Sequence, residues 1–165
     1  YYGEELGMKG SGKDENKRAP MYWSKDGNAE GMCKGPADMD DFRMKFDSLE
    51  EQQEDPDSIY NYVKQVIRVR NQNPVIARGT TAYLEQYSGE QCFALTRSYE
   101  GSNLLLLGNT SAEAVSVDLT GLTVGGTTAE ELVLLGELYT GEETAERAGT
   151  VVTLPAYSIL ILGEE

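Results

Sequence analysis

Short apolar segments recur through the second half of the chain, and turn residues separate them. Residues 115–119 read Val-Ser-Val-Asp-Leu, a strict alternation that predicts a strand with one buried and one solvated face. Residues 104–107 and 159–162 are continuous apolar runs, which predict central strands buried on both faces. The predicted strands span residues 81–87, 91–97, 103–108, 114–119, 131–135, 150–154 and 157–162. This series of short strands predicts an antiparallel β-sandwich.

A helical periodicity precedes these strands. Asp55-Pro56-Asp57-Ser58 has the composition of a helix start, because proline and acidic residues suit the first turn. Asn71-Gln72-Asn73-Pro74 ends the pattern, since the residue before a proline disfavours helix. The pattern predicts one amphipathic helix of about 15 residues. Its apolar stripe needs a packing partner and consists of Ile59, Tyr62, Val63, Val66, Ile67 and Val69.

A long polar stretch without clear periodicity, residues 8–55, comes before this helix. It contains Trp23, Phe42 and Phe46 and is too apolar for simple disorder. Unstructured loops longer than about 12–15 residues are uncommon in compact domains and are usually functional. We therefore interpret the stretch as a site-forming excursion from a larger scaffold rather than as a tail. Tyr1-Tyr2-Gly3, ahead of it, is interpreted as the end of a β-strand.

The distribution of charge divides the chain after residue 79. Residues 1–79 contain 12 Lys or Arg and 15 Asp or Glu, whereas residues 80–165 contain 2 and 13. This shift predicts two structural units, residues 1–79 and residues 80–165. The net charge of −14 argues against nucleic acid or an anionic membrane as partner. No apolar run approaches the roughly 18 residues of a membrane span.

The composition also excludes several kinds of site. The chain has no histidine, which rules out catalysis by a Ser-His or Cys-His pair and metal binding by imidazole. Two cysteines, Cys33 and Cys92, are too few for a disulfide scaffold or a zinc site. Their spacing does not decide whether they pair, and we expect free thiols. Asn109-Thr110-Ser111 fits the glycosylation pattern, but Asn109 follows a glycine at a strand end and is interpreted as a turn residue.

Five segments resemble the α-amylase family of glycoside hydrolases (family 13), and they occur in the family's order. YYGEELGM at residues 1–8 resembles the end of the eighth barrel strand, and RAPMYW at residues 18–23 resembles the loop that follows it. Residues 57–74 resemble the eighth barrel helix. Arg78-Gly79 resembles the entry to the C-terminal domain, and LPAYSILIL at residues 154–162 resembles its closing strand. The nearest resemblance is to bacterial α-amylases and oligo-1,6-glucosidases.

The resemblance implies a mainly β protein: a terminal strand end, a long loop and one helix from a (β/α)₈ barrel, followed by a C-terminal antiparallel β-sandwich. A complete barrel needs about 250 residues, and this chain has 165. Family members are retaining enzymes whose catalytic carboxyls stand about 5–5.5 Å apart, and the resemblance places those acids ahead of Tyr1. We therefore assign no catalytic residue, metal ligand or cofactor here and expect the chain to be inactive alone. The implied substrate of the whole enzyme is an α-glucan or a malto- or isomalto-oligosaccharide.

The resemblance also indicates three residues near a substrate site. Arg18 matches a position whose guanidinium approaches the substrate cleft, and its planar set of donors suits sugar hydroxyls and carboxylates. The alternative for Arg18 is a structural ion pair. Trp23 either stacks on a sugar or fixes the loop as a packed aromatic. Glu5 matches the second acid of the YYG-x-E motif, and we expect it to support the site by accepting hydrogen bonds from the loop.

Two other interpretations stay open at this stage. The β-rich half is alternatively a stand-alone carbohydrate-binding or purely structural sandwich module. Residues 80–165 contain no tryptophan to build an aromatic platform, which argues against a binding module.

The helix from Asp57 to Asn73, without its barrel partner, is expected to pack on the sandwich or associate with another copy. The resemblance favours a bacterial, extracellular protein over a cytoplasmic one.

Overall fold

The computed structural model describes residues 1–164 and contains two compact units, Tyr1–Gln65 and Val66–Glu165. Three α-helices and ten strands follow one another along the chain. The helices are α1 (Leu49–Glu54), α2 (Ile59–Gln72) and α3 (Pro74–Arg78). The strands are β1 (Thr80–Tyr83), β2 (Cys92–Tyr99), β3 (Ser102–Asn109), β4 (Val115–Asp118), β5 (Thr123–Val124), β6 (Thr127–Thr128), β7 (Val133–Leu138), β8 (Glu146–Ala148), β9 (Val151–Leu154) and β10 (Ile159–Gly163).

The second unit is an antiparallel β-structure, as the alternating and continuous apolar segments predict. One sheet has five strands in the order β1-β2-β3-β10-β7, and another has three in the order β4-β9-β8. Strands β5 and β6 form a separate hairpin. The two continuous apolar runs lie in β3 and β10, which are neighbours inside the larger sheet, so the prediction of central strands is confirmed.

The central strands are apolar on both faces because each face packs against a different layer. Leu105 and Leu107 of β3 are fully buried in one cluster with Val152 and Leu154 of β9. The alternate residues of β3, including Leu104, belong to a second cluster that includes side chains from the helical segment before β1. A strand with side chains buried on both sides needs a continuous apolar run rather than an alternation.

The two arginines of residues 80–165 both bind backbone carbonyl groups. Arg97, on β2, donates from Nη2 to the carbonyl of Ile76 at 2.6 Å and from Nε to that of Val75 at 3.4 Å, which ties α3 to the sheet. Arg147, on β8, donates from Nη1 to the carbonyl of Leu132 at 2.5 Å. A guanidinium has five donors and no acceptor, so one arginine can hold several carbonyls at the end of a short helix.

In the first unit, α1 begins with a reciprocal capping box. The backbone N–H and the hydroxyl of Ser48 both donate to Glu51, at 3.1 Å and 2.8 Å. These bonds satisfy groups that a helix N-terminus otherwise leaves without partners. They also hold the pKa of Glu51 below its ordinary value, with a further contribution from Lys25.

Gln52, in the same helix, is the buried polar centre of this unit and is 3% exposed. Its Nε2 donates to the carbonyl of Leu6 at 3.0 Å and to that of Asp47 at 2.7 Å. Its Oε1 accepts the backbone N–H of Tyr60 at 3.1 Å. One side chain therefore joins the distant segment of Leu6 to the residues just before and just after α1.

Helix α2 agrees with the predicted amphipathic helix, since it spans 14 residues and ends before Asn73. No residue of α2 is buried, and Ile67 is 51% exposed. Val69 packs against the cluster of Val75, Leu104 and Ile161, so part of the stripe covers the sheet.

Two local expectations differ from the structure, and three short strands were not predicted. Residues 1–3 do not form a strand end, because Gly3 has φ of 83° and turns the chain into a 3₁₀ helix, Glu4–Leu6. The first predicted strand of the sandwich is shorter, and a 3₁₀ turn, Glu85–Tyr87, follows it. The hairpin of β5 and β6 and the exposed β8 were not predicted, because short or wholly exposed strands carry no apolar alternation.

Cys33 and Cys92 are free thiols. Within residues 1–164, no helix is long and apolar enough to cross a membrane.

Candidate functional site

The predicted site residues lie on and around a short 3₁₀ helix, Asp14–Arg18, within the long polar stretch. The backbone of Gly10 passes directly against this helix. A Cβ atom at position 10 would come within 2.2 Å of the carbonyl oxygen of Asn16. Only glycine fits this close approach of two backbone segments.

Asn16 and Asp40 join this helix to a segment that is 24 residues further along the chain. Asn16 is 6% exposed. Its Nδ2 donates to Asp40 Oδ2 at 2.8 Å, and its Oδ1 accepts the backbone N–H of Asp40 at 2.9 Å. The same Nδ2 donates to the carbonyl of Ser11 at 2.8 Å. We call the pair of Asn16 and Asp40 the loop clasp.

Lys13 completes the charge balance of the loop clasp. Its Nζ lies 2.8 Å from Asp40 Oδ1. The hydrogen bonds from Lys13 and then from Asn16 hold the pKa of Asp40 below its ordinary value. The carboxylate is therefore the form that the clasp stabilises.

The side chain of Arg18 is 57% exposed, and its polar contacts stay within the same short helix. Its Nη2 lies 3.5 Å from Glu15 Oε1, and its Nε donates to the carbonyl of Asp14 at 3.4 Å. An exposed ion pair three residues apart typically contributes about 0–1 kcal/mol. The pair therefore connects no distant segments and leaves most of the guanidinium facing solvent.

Trp23 is 40% exposed, and its backbone is fixed to α1. Its carbonyl accepts the N–H of Glu50 at 3.2 Å, and the neighbouring carbonyl of Tyr22 accepts the N–H of Leu49 at 3.0 Å. The ring is thus partly solvated on an anchored segment. This combination is compatible with both interpretations of the residue, stacking and loop fixation.

Glu5 is partly buried on the 3₁₀ helix Glu4–Leu6. A groove of ≈ 410 Å³ lies beside this helix and the one that carries Arg18. It is lined by Tyr1, Tyr2, Glu4, Met8, Lys9, Gly10, Asn16, Lys17 and Ala19. Arg18, Trp23 and Glu5 are absent from this lining, so this groove does not bring the three predicted residues together.

The chemistry available here is recognition by hydrogen bonding and stacking. Exposed donors on Arg18, and the exposed rings of Tyr1, Tyr2 and Trp23, are groups that contact sugars or other polar ligands. Within the described residues, 1–164, no cluster of three Cys, Asp or Glu side chains could hold a metal ion.

The sequence interpretation did not identify the loop clasp, Gln52 or the capping box of α1. The capping box has a readable signal, since Ser48-Leu49-Glu50-Glu51 fits the Ser-x-x-Glu pattern. The clasp and Gln52 have none, because each joins residues that are far apart along a stretch without periodicity.

Comparison with known protein families gives a match for the first half of the chain. Residues 1–79 match the model of the α-amylase catalytic domain. Trehalose synthase from Thermus thermophilus is 27% identical over 130 residues, which cover 72% of this chain and 13% of that protein. Alpha-amylase 3 from Dictyoglomus thermophilum is 32% identical over 79 residues, 48% of this chain and 16% of that protein.

Solved structures match the chain along its whole length. Amy13B from Eubacterium rectale is 41% identical with a TM-score of 0.90, covering 100% of this chain and 31% of that one. An α-amylase from H. orenii is 26% identical with a TM-score of 0.72 and 32% of its own chain covered. The present chain thus spans about a third or less of the proteins that it matches.

Proposed function

Because this chain is related to the α-amylase family of glycoside hydrolases (family 13), we propose that it is the C-terminal part of a retaining α-glucan hydrolase. The observation that supports this proposal most is that the whole of this chain matches 31% of Amy13B at 41% identity. The proposed reaction is hydrolysis of α-glucosidic bonds through a covalent glycosyl intermediate formed on a carboxylate. The reacting carboxylates belong to the part of the enzyme ahead of Tyr1.

In this proposal residues 1–79 contribute the final loop and helix of the catalytic barrel, and residues 80–165 form the C-terminal sandwich. Active sites of such barrels lie at the C-terminal ends of the strands. Arg18 donates hydrogen bonds to a sugar hydroxyl or to a carboxylate of the site. Its side chain is more than half exposed, and its partners among residues 1–164 belong to its own short helix, which supports this role over that of a structural ion pair. Trp23 stacks on a sugar ring, and Glu5 supports the loop.

The isolated 165-residue chain is expected to show no turnover of starch, maltotriose or isomaltose. Nothing in its sequence identifies a pair of carboxyls suited to retaining hydrolysis. Reducing-sugar release should be compared between this chain and a polypeptide that also carries the residues encoded upstream, which are expected to include an Asp, Glu and Asp triplet. Turnover by the chain alone would contradict the proposal.

Titration calorimetry with maltoheptaose tests the alternative, since binding heat from the isolated chain would favour a carbohydrate-binding module.

We further propose that helix α2 mediates self-association when the chain is isolated. Burying an apolar side chain stabilises by about 1.5–3 kcal/mol, so a half-buried stripe with one exposed residue, Ile67, favours association. Sedimentation equilibrium is expected to show a dimer that Ile67→Glu converts to monomer. Leu134→Glu is the matched control, because Leu134 is 52% exposed and Ile67 is 51% exposed. A wild-type chain that stays monomeric and well folded at all concentrations tested would contradict this proposal.

A further inference from the structure

Four polar contacts meet at the two side chains of the loop clasp. Asn16 uses both ends of its amide toward Asp40, at 2.8 Å and 2.9 Å, and also binds the carbonyl of Ser11. Lys13 holds the second oxygen of Asp40. A buried amide that is fully hydrogen-bonded fixes the relative positions of the segments that it joins.

The segments joined by the clasp lie on either side of Arg18. Asn16 is two residues before Arg18 on the same 3₁₀ helix. On the other side, a Cβ atom at Gly35 would come within 2.8 Å of Met39 Sδ and 3.3 Å of Pro20 Cδ, so the segment that ends at Asp40 packs against Pro20. The carbonyl of Ala19 accepts the hydroxyl of Tyr2 at 3.0 Å. The backbone of Arg18 is therefore held both before and after the residue.

This external support is necessary because a short 3₁₀ helix has poor hydrogen-bond geometry and little stability of its own. The side chain of Arg18 adds no support, since its partners Asp14 and Glu15 belong to the same helix. We propose that Asn16, acting through Asp40, is a positioning residue that fixes the guanidinium of Arg18 for substrate. This inference rests on the proposed function of Arg18 and extends it to Asn16 and Asp40.

The first test uses the isolated chain and does not depend on carbohydrate. Asn16→Asp places a second carboxylate against Asp40 and removes the amide donors. Backbone amides of residues 16–19 are expected to exchange with solvent at least about tenfold faster in this variant. The double variant Asn16→Asp/Asp40→Asn restores one donor facing one acceptor and is expected to recover most of the protection. Lys25→Ala, which removes the exposed ion pair with Glu51 in the same unit, is the control and should leave these amides unchanged. Unchanged exchange in Asn16→Asp overturns the proposal.

The second test uses the enzyme that carries this chain together with its catalytic acids. Asn16→Asp is expected to lower kcat/KM for maltotriose by about tenfold or more, because small displacements of a positioned group have large effects. The swapped double variant should regain most of that loss. In an Arg18→Ala background, Asn16→Asp should add little, since residues that act through one another are not additive.

The outcomes separate the positioning role from the proposed function. If Arg18→Ala lowers kcat/KM but Asn16→Asp adds its full effect on top, Asn16 is only structural and the positioning proposal is overturned. If Arg18→Ala leaves kcat/KM unchanged, the substrate role of Arg18 fails and the positioning role fails with it, while the exchange data still report whether the clasp fixes the loop. An enzyme that hydrolyses no α-glucosidic bond in starch, maltotriose or isomaltose would instead overturn the proposed function.

Discussion

Replacing Gln52 by alanine is expected to lower the unfolding free energy of the first unit by about 3 kcal/mol or more. The substitution leaves the carbonyls of Leu6 and Asp47 and the N–H of Tyr60 without their partner. Because Gln52 is only 3% exposed, water cannot replace these bonds without opening the structure. A buried polar group that loses its partner costs about 1–3 kcal/mol, so the effects of several such groups add up to a large loss.

Urea unfolding followed by the fluorescence of Trp23 measures this loss. Trp23 is the single tryptophan of the chain and lies in the first unit, so its signal reports on that unit. Gln53→Ala is the matched control, because Gln53 is the exposed neighbour on the same helix. A Gln52→Ala midpoint that equals that of the control would show that Gln52 does not hold the three segments together.

In the second unit, Asn109→Ala is expected to cost about 3 kcal/mol. Asn109 is 3% exposed and ends β3. Its Nδ2 donates to the carbonyl of Glu113 at 2.7 Å and to that of Pro155 at 2.9 Å. Its Oδ1 accepts the N–H of Ser111 at 2.9 Å. The side chain thus closes the turn after β3 and fastens it to the segment before β10.

Far-UV circular dichroism during urea unfolding reports the loss of the β-structure. Thr110→Ala is the control, since its hydroxyl makes one exposed hydrogen bond, to the carbonyl of Gln91. If Asn109→Ala unfolds with the control, the buried bonds of Asn109 contribute little and its role as a turn residue is wrong. The same burial of Nδ2 explains why the residue acts as a turn residue although it fits a glycosylation pattern.

The β-rich half was predictable because its signal is local. Two apolar runs, residues 104–107 and 159–162, each predict a strand with two buried faces. The structure pairs these strands as β3 and β10. The alternation at residues 115–119 likewise predicts β4. These runs do not predict which elements cover the two faces of the sheet. Packing partners such as Val75 are set by tertiary contacts, which a local pattern does not contain.

The candidate site was less predictable, because its organising contacts are long-range and polar. The resemblance indicates Arg18 and Trp23, but the side chains that fix the loop are Asn16, Asp40 and Gln52. A single Asn or Gln in a polar stretch looks like any solvated residue until the fold supplies its partner. The expectation of a strand end at Tyr1 is wrong because Gly3 has a left-handed backbone conformation. The pattern of apolar residues does not indicate such a conformation.

Arg97 and Arg147, which donate hydrogen bonds to backbone carbonyls, are the two positive side chains of an otherwise acidic sandwich. Residues 80–165 carry 13 carboxylates and only these two cationic side chains. Counterions from the medium must therefore gather around this half of the molecule, as they do around a polyanion. Exposed charges interact over a distance of about 10 Å at 0.1 M salt and about 30 Å at 0.01 M, and beyond it they are screened. Dilute buffers consequently leave the acidic surface under mutual repulsion, and saline surroundings relieve it.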